Sequence, residues 1–391
     1  KLFALSLWLR IPKEHMKNPQ ETLNSLILTA AWRFNLADLA ALYRTVGSAT
    51  ELILHHNDIR AVCPDASQRL VNALKDLSKA QKAAEEEFDY CERHHIRILT
   101  LGDENYPYRL ADCVDAPLTL FYLGNGNLNT RRTVNIVGTR RCTTYGKEVI
   151  EKLVRELHAL CPDVMIFSGL AYGIDICAHR SALQNNMPTV GVLAHGLDTI
   201  YPTSHRQTAV EMIEHGGLLT EYFTHTQPVA RNFVQRNRIV AGCADATILI
   251  ESADKGGGLI TCSIARSYGH DVFAIPGPVN AVYSKGCNNL IRDNVAALIS
   301  SAEDLVKAMA WDDDERLIKA QQQGIQRELF PELSPEERAI IETLQKNNDL
   351  QVNIIAIKTG MDMGSLSAVL FDLEMKGLVK LLAGGMYHLI G

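Results

Sequence analysis

The chain has 391 residues, a length that predicts two or three domains, and its 47% hydrophobic residues exclude a disordered chain. The formal net charge of −6 excludes a basic surface over the whole protein, so any binding of nucleic acid must come from a local basic patch. Its nine cysteines form no Cys-x-x-Cys pair, which argues against a zinc site and a disulfide framework and fits a reducing cytoplasm. No apolar run reaches the length of a membrane span and no secretory leader is visible, so we expect no membrane partner.

Apolar residues at helical spacing predict a helical module over residues 1–90. Helices are expected at Leu23–Trp32 and Leu36–Val46, followed by a break at Gly47 and by one long helix at Ser67–Arg93. The module is similar to sterile-alpha-motif and helix-hairpin-helix units. Such units can contact DNA backbones, but a structural cap on the next domain is the favoured interpretation.

Residues 91–310 alternate short apolar strands with stretches of helical length. This alternation predicts an α/β fold with an extended, mostly parallel, Rossmann-like sheet that is covered by helices on both faces. A ligand is then expected outside the carboxyl ends of the strands. The predicted strands are Ile96–Thr100, Val134–Val137, Val164–Ser168, Thr189–Leu193, Leu218–Glu221, Ala246–Glu251, Val272–Ile275 and Ala297–Ile299.

A charged, glutamine-rich linker is predicted at residues 311–332, and a small winged-helix-like domain at residues 333–391. The domain should contain a helix starting near Ser334, helices at Val352–Lys358 and Met363–Lys376, and a terminal hairpin. The helix at Met363–Lys376 is in the recognition position. It is apolar and acidic with little arginine or lysine, which argues against sequence readout of duplex DNA. A protein-interaction or regulatory role fits this helix at least as well as DNA binding.

The most informative stretch is Thr133–Arg141, in which the β-branched run ends at Gly138 and a turn follows with Thr139, Arg140 and Arg141. A strand that ends in a glycine turn at a helix start is a common anion site, because the first N–H groups of the helix point at the ligand. The two arginines shift the expected ligand from a mononucleotide to a phosphate-rich polymer.

Two further junctions extend this edge of the sheet. In Phe167–Asp175, the Ser168 hydroxyl can donate to a phosphate and Gly169 lets the backbone approach a ligand closely. Asp175 and His179 lie at i, i+4 and can hydrogen-bond each other, either as a structural brace, which is favoured, or as an acid–base pair. The junction Gly196–Pro202 would form part of the wall of the ligand pocket. Its Asp198 is not predicted to be catalytic, because no nucleophile or set of metal ligands is near it in sequence.

A cluster of basic residues lies in Arg231–Ile239. Arg236, Asn237 and Arg238 can bind phosphate, and the neighbouring Phe233 can stack on a base. The alternative is a helix salt-bridged to neighbouring acids. Because no acidic residue is near in sequence, phosphate binding is favoured.

The last junction is Glu251–Thr261. Lys255 and the three glycines Gly256, Gly257 and Gly258 open a helix that also carries Thr261, so their N–H groups predict an anion cradle. The spacing fits neither a Walker A loop nor a dinucleotide fingerprint. Five polar, glycine-rich junctions in one sheet predict one continuous phosphate-binding groove.

At these residues the chain resembles the DNA-processing protein A family (DprA, also called Smf). The stretches that carry the resemblance are Ile136–Arg140, Ser168–Asp175 with Ala178-His179, Gly196–Asp198 with Tyr201-Pro202, Arg236–Ile239, Gly258–Thr261, Pro276-Gly277 and Gly286–Ile291, preceded by Asn105–Pro107 and Ala116-Pro117. The resemblance implies a homodimer that binds single-stranded DNA without sequence preference. It also implies that the protein protects incoming DNA in natural transformation and loads the RecA recombinase over single-strand binding protein. Family members are not known as enzymes, so no catalytic residue, metal or cofactor is expected.

The resemblance also implies roles for single residues. Arg140 would be the principal phosphate ligand, with Gly138 and Thr139 shaping its loop. Neighbouring contacts would come from Ser168, Gly169, Asn237, Arg238 and the groove end at Lys255–Gly258. Many members have a lysine directly after the Tyr-Pro pair, where this chain has Thr203. His205, Arg206 or Lys255 would have to compensate, or affinity would be lower.

The apolar Leu290-Ile291 segment is the expected dimer surface. Few aromatic residues are present, so electrostatics should outweigh base stacking. A nucleotide-processing enzyme of the nucleoside-monophosphate phosphoribohydrolase type is the main alternative function. It would need a Glu and Arg pair at a Pro-Gly-Gly loop, which Pro276–Pro278 does not supply. A regulator acting through the winged helix is a third possibility.

Overall fold

The computed structural model describes residues 18–32, 36–312, 333–346, 350–376, 378–382 and 385–389. The chain forms two compact units, Lys1–Trp311 and Asp312–Gly391. Apart from its first two residues, the linker predicted at 311–332 lies outside the described residues.

Helices precede the sheet in the first unit. They are α1 (Pro19–Ala31), α2 (Leu36–Val46), α3 (Ala49–Leu54), α4 (Ile59–Val62), α5 (Gln68–Leu74) and α6 (Ser78–Arg93). The predicted break is confirmed at Gly47, which adopts φ +78°. The single helix predicted at Ser67–Arg93 is wrong. The Asp76 carboxylate accepts hydrogen bonds from the backbone N–H and the hydroxyl of Ser78, at 3.0 and 2.6 Å, in a local turn that separates α5 from α6.

The N-terminal helices pack directly on the sheet. Leu26 of α1 and Ala84 of α6 share one buried cluster with Phe121 and Phe223. The hydroxyls of Thr29 and Thr119 also hydrogen-bond at 3.1 Å. This is the contact expected of a structural cap.

Nine strands form the sheet of the first unit, in the order β1-β2-β6-β5-β4-β3-β7-β8-β9. Strands β3 to β9 are parallel, whereas β2 is antiparallel to both β1 and β6. The strands are β1 (Arg97–Thr100), β2 (Thr119–Gly124), β3 (Thr133–Val137), β4 (Met165–Ser168), β5 (Thr189–Val192), β6 (Gly216–Thr220), β7 (Ala246–Leu249), β8 (Asp271–Ala274) and β9 (Ala297–Leu298). The mostly parallel α/β fold is therefore confirmed, with β2 as a strand that the sequence pattern did not predict.

Helices cover both faces of this sheet. The helices of this region are α7 (Tyr108–Ala111), α8 (Thr144–Leu160), α9 (Ile174–Gln184), α10 (Arg206–Glu214), α11 (Ala230–Gly242), α12 (Gly257–Ser267), α13 (Lys285–Arg292) and α14 (Ala302–Ala308). One face of the sheet packs against α8, α9 and α14, and the other against α7, α11 and α12. Short 3₁₀ turns span Thr203–His205 and Val282–Ser284. The chain order reverses between β3 and β7, and ligands of open α/β sheets bind at such a switch point.

The second unit is the predicted winged helix. Its helices span Pro335–Lys346, Val352–Thr359 and Met363–Met375, and its strands are β10 (Leu350–Gln351), β11 (Val379–Leu382) and β12 (Met386–Leu389). The strands form an antiparallel sheet in the order β10-β12-β11. The buried core residues are Ile340, Ile341, Leu344, Ile355, Leu366, Leu370, Leu373 and Val379.

Across the described ranges, no single helix is both long and apolar enough to cross a membrane. The helices Val352–Thr359 and Met363–Met375 reach the required length and hydropathy only together, as a pair bent by 109°. Ile355 and Leu370 of this pair are fully buried in the core of the second unit, which accounts for their apolar character.

Candidate nucleic-acid interface

Three loops meet at the switch point between β3 and β7. The loop after β3, residues 138–143, is held at its start by a hydrogen bond that the Thr139 N–H donates to the Glu251 carbonyl at 2.8 Å. The loop after β4, residues 169–173, joins it through the Ile174 N–H, which donates to the Thr139 carbonyl at 3.1 Å. Backbone hydrogen bonds therefore hold the Arg140 loop between the junctions that follow β4 and β7.

Arg140 is exposed at the centre of these loops. Its guanidinium carbon lies 5.3 Å from the centroid of the Phe233 ring, and the Tyr201 ring lies 5.7 Å from the same ring. Tyr201 and Tyr172 are 46% and 50% exposed. Arg140 thus sits beside aromatic surfaces that could stack with bases.

Of these aromatic residues, only Phe233 was predicted from the sequence to stack on a base. Tyr172 and Tyr201 were present in the motif stretches, but a low overall count of aromatic residues led to the expectation that stacking is minor. Composition does not show that scattered aromatic residues gather at one loop cluster.

Two glycines allow the loops to approach each other. A Cβ on Gly138 would lie 2.6 Å from Ile174 Cγ1 and 2.7 Å from the Glu251 carbonyl oxygen. A Cβ on Gly258 would lie 2.7 Å from Leu249 Cδ1 and 3.2 Å from the Gly138 Cα. Gly138 and Gly258 therefore act through close packing.

The start of α12 is open to solvent. Lys255, Gly256 and Gly257 are exposed, and Gly256 is the N-cap residue of α12 without a side-chain cap. The free N–H groups of this helix start and the Lys255 ammonium suit an anion. Thr261 is buried, and its hydroxyl donates to the Gly257 carbonyl at 3.2 Å, so it stabilises the helix start from inside.

The start of α8 carries its own anion. The buried Glu251 carboxylate accepts hydrogen bonds from the N–H and the hydroxyl of Thr143, at 2.9 and 2.6 Å. The N–H of Gly146 is capped by the Thr143 hydroxyl at 3.2 Å. The anion site expected at this helix start is therefore already filled by a carboxylate of the protein itself.

Arg236 lies beneath the loop after β4. It is only 3% exposed, and its Nη1 donates to the Gly169 carbonyl at 2.6 Å and to the Val192 carbonyl. A Cβ on Gly169 would lie within 2.6 Å of the guanidinium group. The glycine is thus needed for an internal contact with Arg236.

Asp175 holds the same loop from below. Its carboxylate accepts hydrogen bonds from the N–H groups of Gly169 and Ala171, at 3.1 and 3.4 Å. Burial raises the pKa of Asp175, while the Arg236 charge and these hydrogen bonds oppose the rise. The geometry matches the favoured interpretation of Asp175 as a structural brace.

His179 does not complete an acid–base pair with Asp175. Its Nδ1 lies 2.7 Å from the Thr189 hydroxyl, which is its partner in place of the expected carboxylate. Burial lowers the pKa of His179 to about 3, so the ring is neutral at physiological pH. Ser168 is equally internal, because it is fully buried and its hydroxyl donates to the Ile136 carbonyl at 2.6 Å.

Arg238 is also buried. Its guanidinium forms an ion pair with Glu221, just after β6, and donates to the Asp115 carbonyl. For this arginine the salt-bridged alternative describes the structure. The predicted direct phosphate contact of Ser168, Arg236 and Arg238 is not supported by their positions.

Other predicted ligands lie at the surface. Arg141 is exposed, and its N–H donates to the Thr139 hydroxyl at 3.1 Å. Asn237 is half-buried, with Nδ2 3.5 Å from the Gly257 carbonyl at the open start of α12.

His205 is poorly placed to replace the lysine that this chain lacks at position 203. Its ring is buried, with Nδ1 2.9 Å from the Leu170 carbonyl and a centroid 4.9 Å from that of Tyr172. Thr203 itself is exposed. Of the proposed substitutes, Lys255 has an exposed side chain beside the open helix start.

Comparisons with known proteins agree with this fold. The family model described as DNA recombination-mediator protein A matches residues 97–310, and that of the DprA winged helix domain matches residues 328–385. A putative DNA processing protein DprA of Mycobacterium tuberculosis is 32% identical over 360 residues, which cover 88% of each chain.

Two solved structures are also similar. DNA processing protein A of Streptococcus pneumoniae is 31% identical with a TM-score of 0.63, and the match covers 73% of this chain and 97% of that one. DNA processing protein A of Helicobacter pylori, whose structure describes a single-stranded DNA binding mode, is 31% identical with a TM-score of 0.50. That match covers 56% of this chain and 96% of the other.

Proposed function

Because the chain belongs to the DNA recombination-mediator protein A family, we propose that it binds single-stranded DNA at the loops that follow β3, β4 and β7. The observation that carries the proposal is the exposed Arg140 guanidinium beside Phe233 at the switch point of the sheet. Arginine binds phosphate, and the neighbouring aromatic rings can stack on bases of any identity. Both kinds of contact suit a strand bound without sequence preference.

In this proposal the site has an exposed layer and a buried layer. Arg140, Arg141, Lys255 and the start of α12 contact the strand, with Asn237 at their edge. Arg236, Asp175 and Ser168 lie below and keep the loop after β4 in place. The division follows side-chain exposure, since a buried guanidinium cannot reach a phosphate in solution.

We also propose, on family grounds, that the bound strand is incoming DNA in natural transformation. In the same proposal, the protein protects this DNA from nucleases and loads RecA onto it in competition with single-strand binding protein. The protein would act as a homodimer. A dimer would join two weak grooves and raise affinity by avidity. Leu290 and Ile291, the expected dimer surface, are half-buried and pack against the core cluster of one sheet face.

A binding role without catalysis is the favoured form of the proposal. Asp175 and Glu251, two buried carboxylates at these loops, each accept hydrogen bonds from the loop backbone. Both groups therefore stabilise the loops.

Arg140→Ala is expected to weaken binding to a single-stranded oligonucleotide by about 1.5–3 kcal/mol, because a charge-assisted phosphate contact is lost. The loss should be the same for different base sequences, and the slope of log K against log salt should fall by about one unit. Fluorescence anisotropy at several salt concentrations measures both quantities.

Arg155→Ala, which removes an exposed arginine on α8, is the matched control and should leave the affinity unchanged. An unchanged affinity for Arg140→Ala at every salt concentration would overturn the proposed interface. The same wild-type preparation should release no free base from AMP, and release would favour a phosphoribohydrolase.

Thr203→Lys is expected to tighten binding, since it places a cation on an exposed position of the segment that leads into α10. The salt slope should rise by about one unit if the new ammonium contacts a phosphate. Thr203→Gln adds length without charge and serves as the control. Equal affinities of the lysine and glutamine variants would place this segment outside the bound strand's path.

A further inference from the structure

The β6–α11 loop, residues 221–229, leads directly to the aromatic rings beside Arg140. Phe233 lies in the first turn of α11, and its ring contacts the Arg140 guanidinium. Asn232 ties this helix start to the loop, because its Nδ2 donates to the Gln227 carbonyl at 3.1 Å. The position of Phe233 therefore depends on how the loop is held.

A buried carboxylate of the N-terminal module holds this loop. Glu87 of α6 is only 4% exposed, and its Oε2 accepts hydrogen bonds from the N–H and the hydroxyl of Thr224, at 2.9 and 2.6 Å. The neighbouring Phe223 ring packs edge-on against Phe121 of β2, with centroids 5.4 Å apart. Glu87 and Thr224 are 137 residues apart in sequence, so sequence spacing does not reveal their contact.

The β6–α11 loop also supports the loop that follows β5. The Gly196 N–H donates to the Thr226 carbonyl at 3.5 Å. His225 Nδ1 lies 3.3 Å from an oxygen of the Asp198 carboxylate. The loop after β5 also carries Tyr201, one of the exposed rings at the proposed strand site. A shift of the β6–α11 loop would therefore disturb aromatic rings on two loops.

Other contacts already dock the N-terminal module on the sheet. The Arg44 guanidinium of α2 donates to the carbonyls of Ala111 and Cys113, both at 2.6 Å. The hydrophobic cluster shared by α1, α6 and the sheet adds to this docking. Because these contacts do not involve the Glu87 carboxylate, its specific contribution is the position of the β6–α11 loop.

We propose that Glu87 is a positioning residue of the strand-binding site. Through Thr224 it holds the β6–α11 loop, and with it the Phe233 and Tyr201 rings, where bases of a bound strand can stack. The N-terminal module then shapes the site in addition to capping the sheet. This inference rests on the proposed binding of single-stranded DNA.

Two substitutions that remove the same charge test the inference in the full chain. Glu87→Leu removes both acceptor oxygens, whereas Glu87→Gln keeps one, and one oxygen accepts both Thr224 bonds in the wild type. Hydrogen exchange of the free proteins is followed by mass spectrometry. Peptides covering residues 222–233 should exchange about tenfold faster in Glu87→Leu, because hydrogen bonds to a charged acceptor are lost, whereas peptides from α8 should not change. Glu87→Gln should stay close to wild type, as should Arg44→Ala, which removes a module contact to a different segment.

The affinity for a single-stranded oligonucleotide gives the second readout. Loss of a negative charge would by itself strengthen binding to DNA, so weaker binding by folded Glu87→Leu reflects the displaced rings. We expect binding about tenfold weaker than wild type, because stacking contacts are lost, with an unchanged salt slope, because no phosphate contact is lost. Glu87→Gln should bind at least as tightly as wild type.

Unchanged exchange of residues 222–233 in Glu87→Leu, or faster exchange without weaker binding, would overturn the inference. Failure of the wild-type protein to bind the oligonucleotide would instead contradict the proposed function, and the exchange comparison would still decide whether Glu87 holds the loop. If Glu87→Leu does not fold, Thr224→Val removes only the hydroxyl contact and should show both effects at smaller size.

Discussion

Arg238→Met is expected to lower the free energy of unfolding by about 3–5 kcal/mol, because it leaves the Glu221 carboxylate buried without its cation. The two side chains are only 6% and 8% exposed. The arginine also donates to the Asp115 carbonyl, so one side chain joins α11, the end of β6 and the segment before β2. Urea unfolding followed by circular dichroism measures the loss.

The cost of Arg238→Met should depend on pH. Burial already raises the pKa of Glu221, and the Arg238 charge limits that rise. Without the arginine the folded-state pKa rises further, so the folded protein binds a proton that the unfolded chain has released. Stability then falls as pH increases from the unfolded pKa to the folded pKa. The deficit relative to wild type should be smallest at acid pH and largest near neutrality.

The double variant Arg238→Met, Glu221→Gln removes both charges and should recover part of the lost stability. Equal stability of the single and double variants would show that the ion pair is not what Arg238 contributes. A pH-independent deficit would likewise contradict the proposed burial of Glu221 as an anion.

The sequence pattern predicted most of the sheet because its parallel strands are continuous apolar runs followed by glycine turns. β2 was missed, although Thr119–Gly124 is buried and apolar. β2 starts two residues after Pro117 and lies antiparallel between β1 and β6. It is therefore not part of the alternation of strands and helices from which the parallel strands were predicted. The break between α5 and α6 was missed for a different reason, because a local turn, in which Asp76 hydrogen-bonds to Ser78, interrupts an otherwise helical apolar spacing.

The junctions after β3, β4 and β7 were predicted to lie at one edge of the sheet, and backbone hydrogen bonds do join them there, whereas their role in binding DNA stays a prediction. Glycine-rich junctions after strands located the loops, since the carboxyl ends of parallel strands lie at one edge. Burial of Arg236 and Arg238 was not visible, because Glu221 and the carbonyls of Gly169 and Val192 come from other parts of the chain. Acids close in sequence are thus a poor test of whether an arginine is paired.

Charge alone therefore does not identify which arginines contact a strand. Arg140 and Arg236 belong to motifs of similar composition, yet one is exposed and the other donates to two main-chain carbonyls. In the proposed interface, an exposed guanidinium would act mainly through its charge toward a phosphate. A buried guanidinium, such as that of Arg236, acts through its planar set of N–H donors, which can bind carbonyl groups from separate parts of the chain.

Arg236→Lys is expected to lower the free energy of unfolding by about 3 kcal/mol although it conserves the charge, because an ammonium cannot reproduce the guanidinium contacts and stays buried. The loop that carries Gly169 would lose its support, so single-strand binding should weaken as well. Arg140→Lys is the matched control, and it should keep wild-type stability and salt slope. If Arg236→Lys instead left stability unchanged and altered only binding, Arg236 would be a direct ligand of the strand, and the division into exposed and buried layers would be wrong.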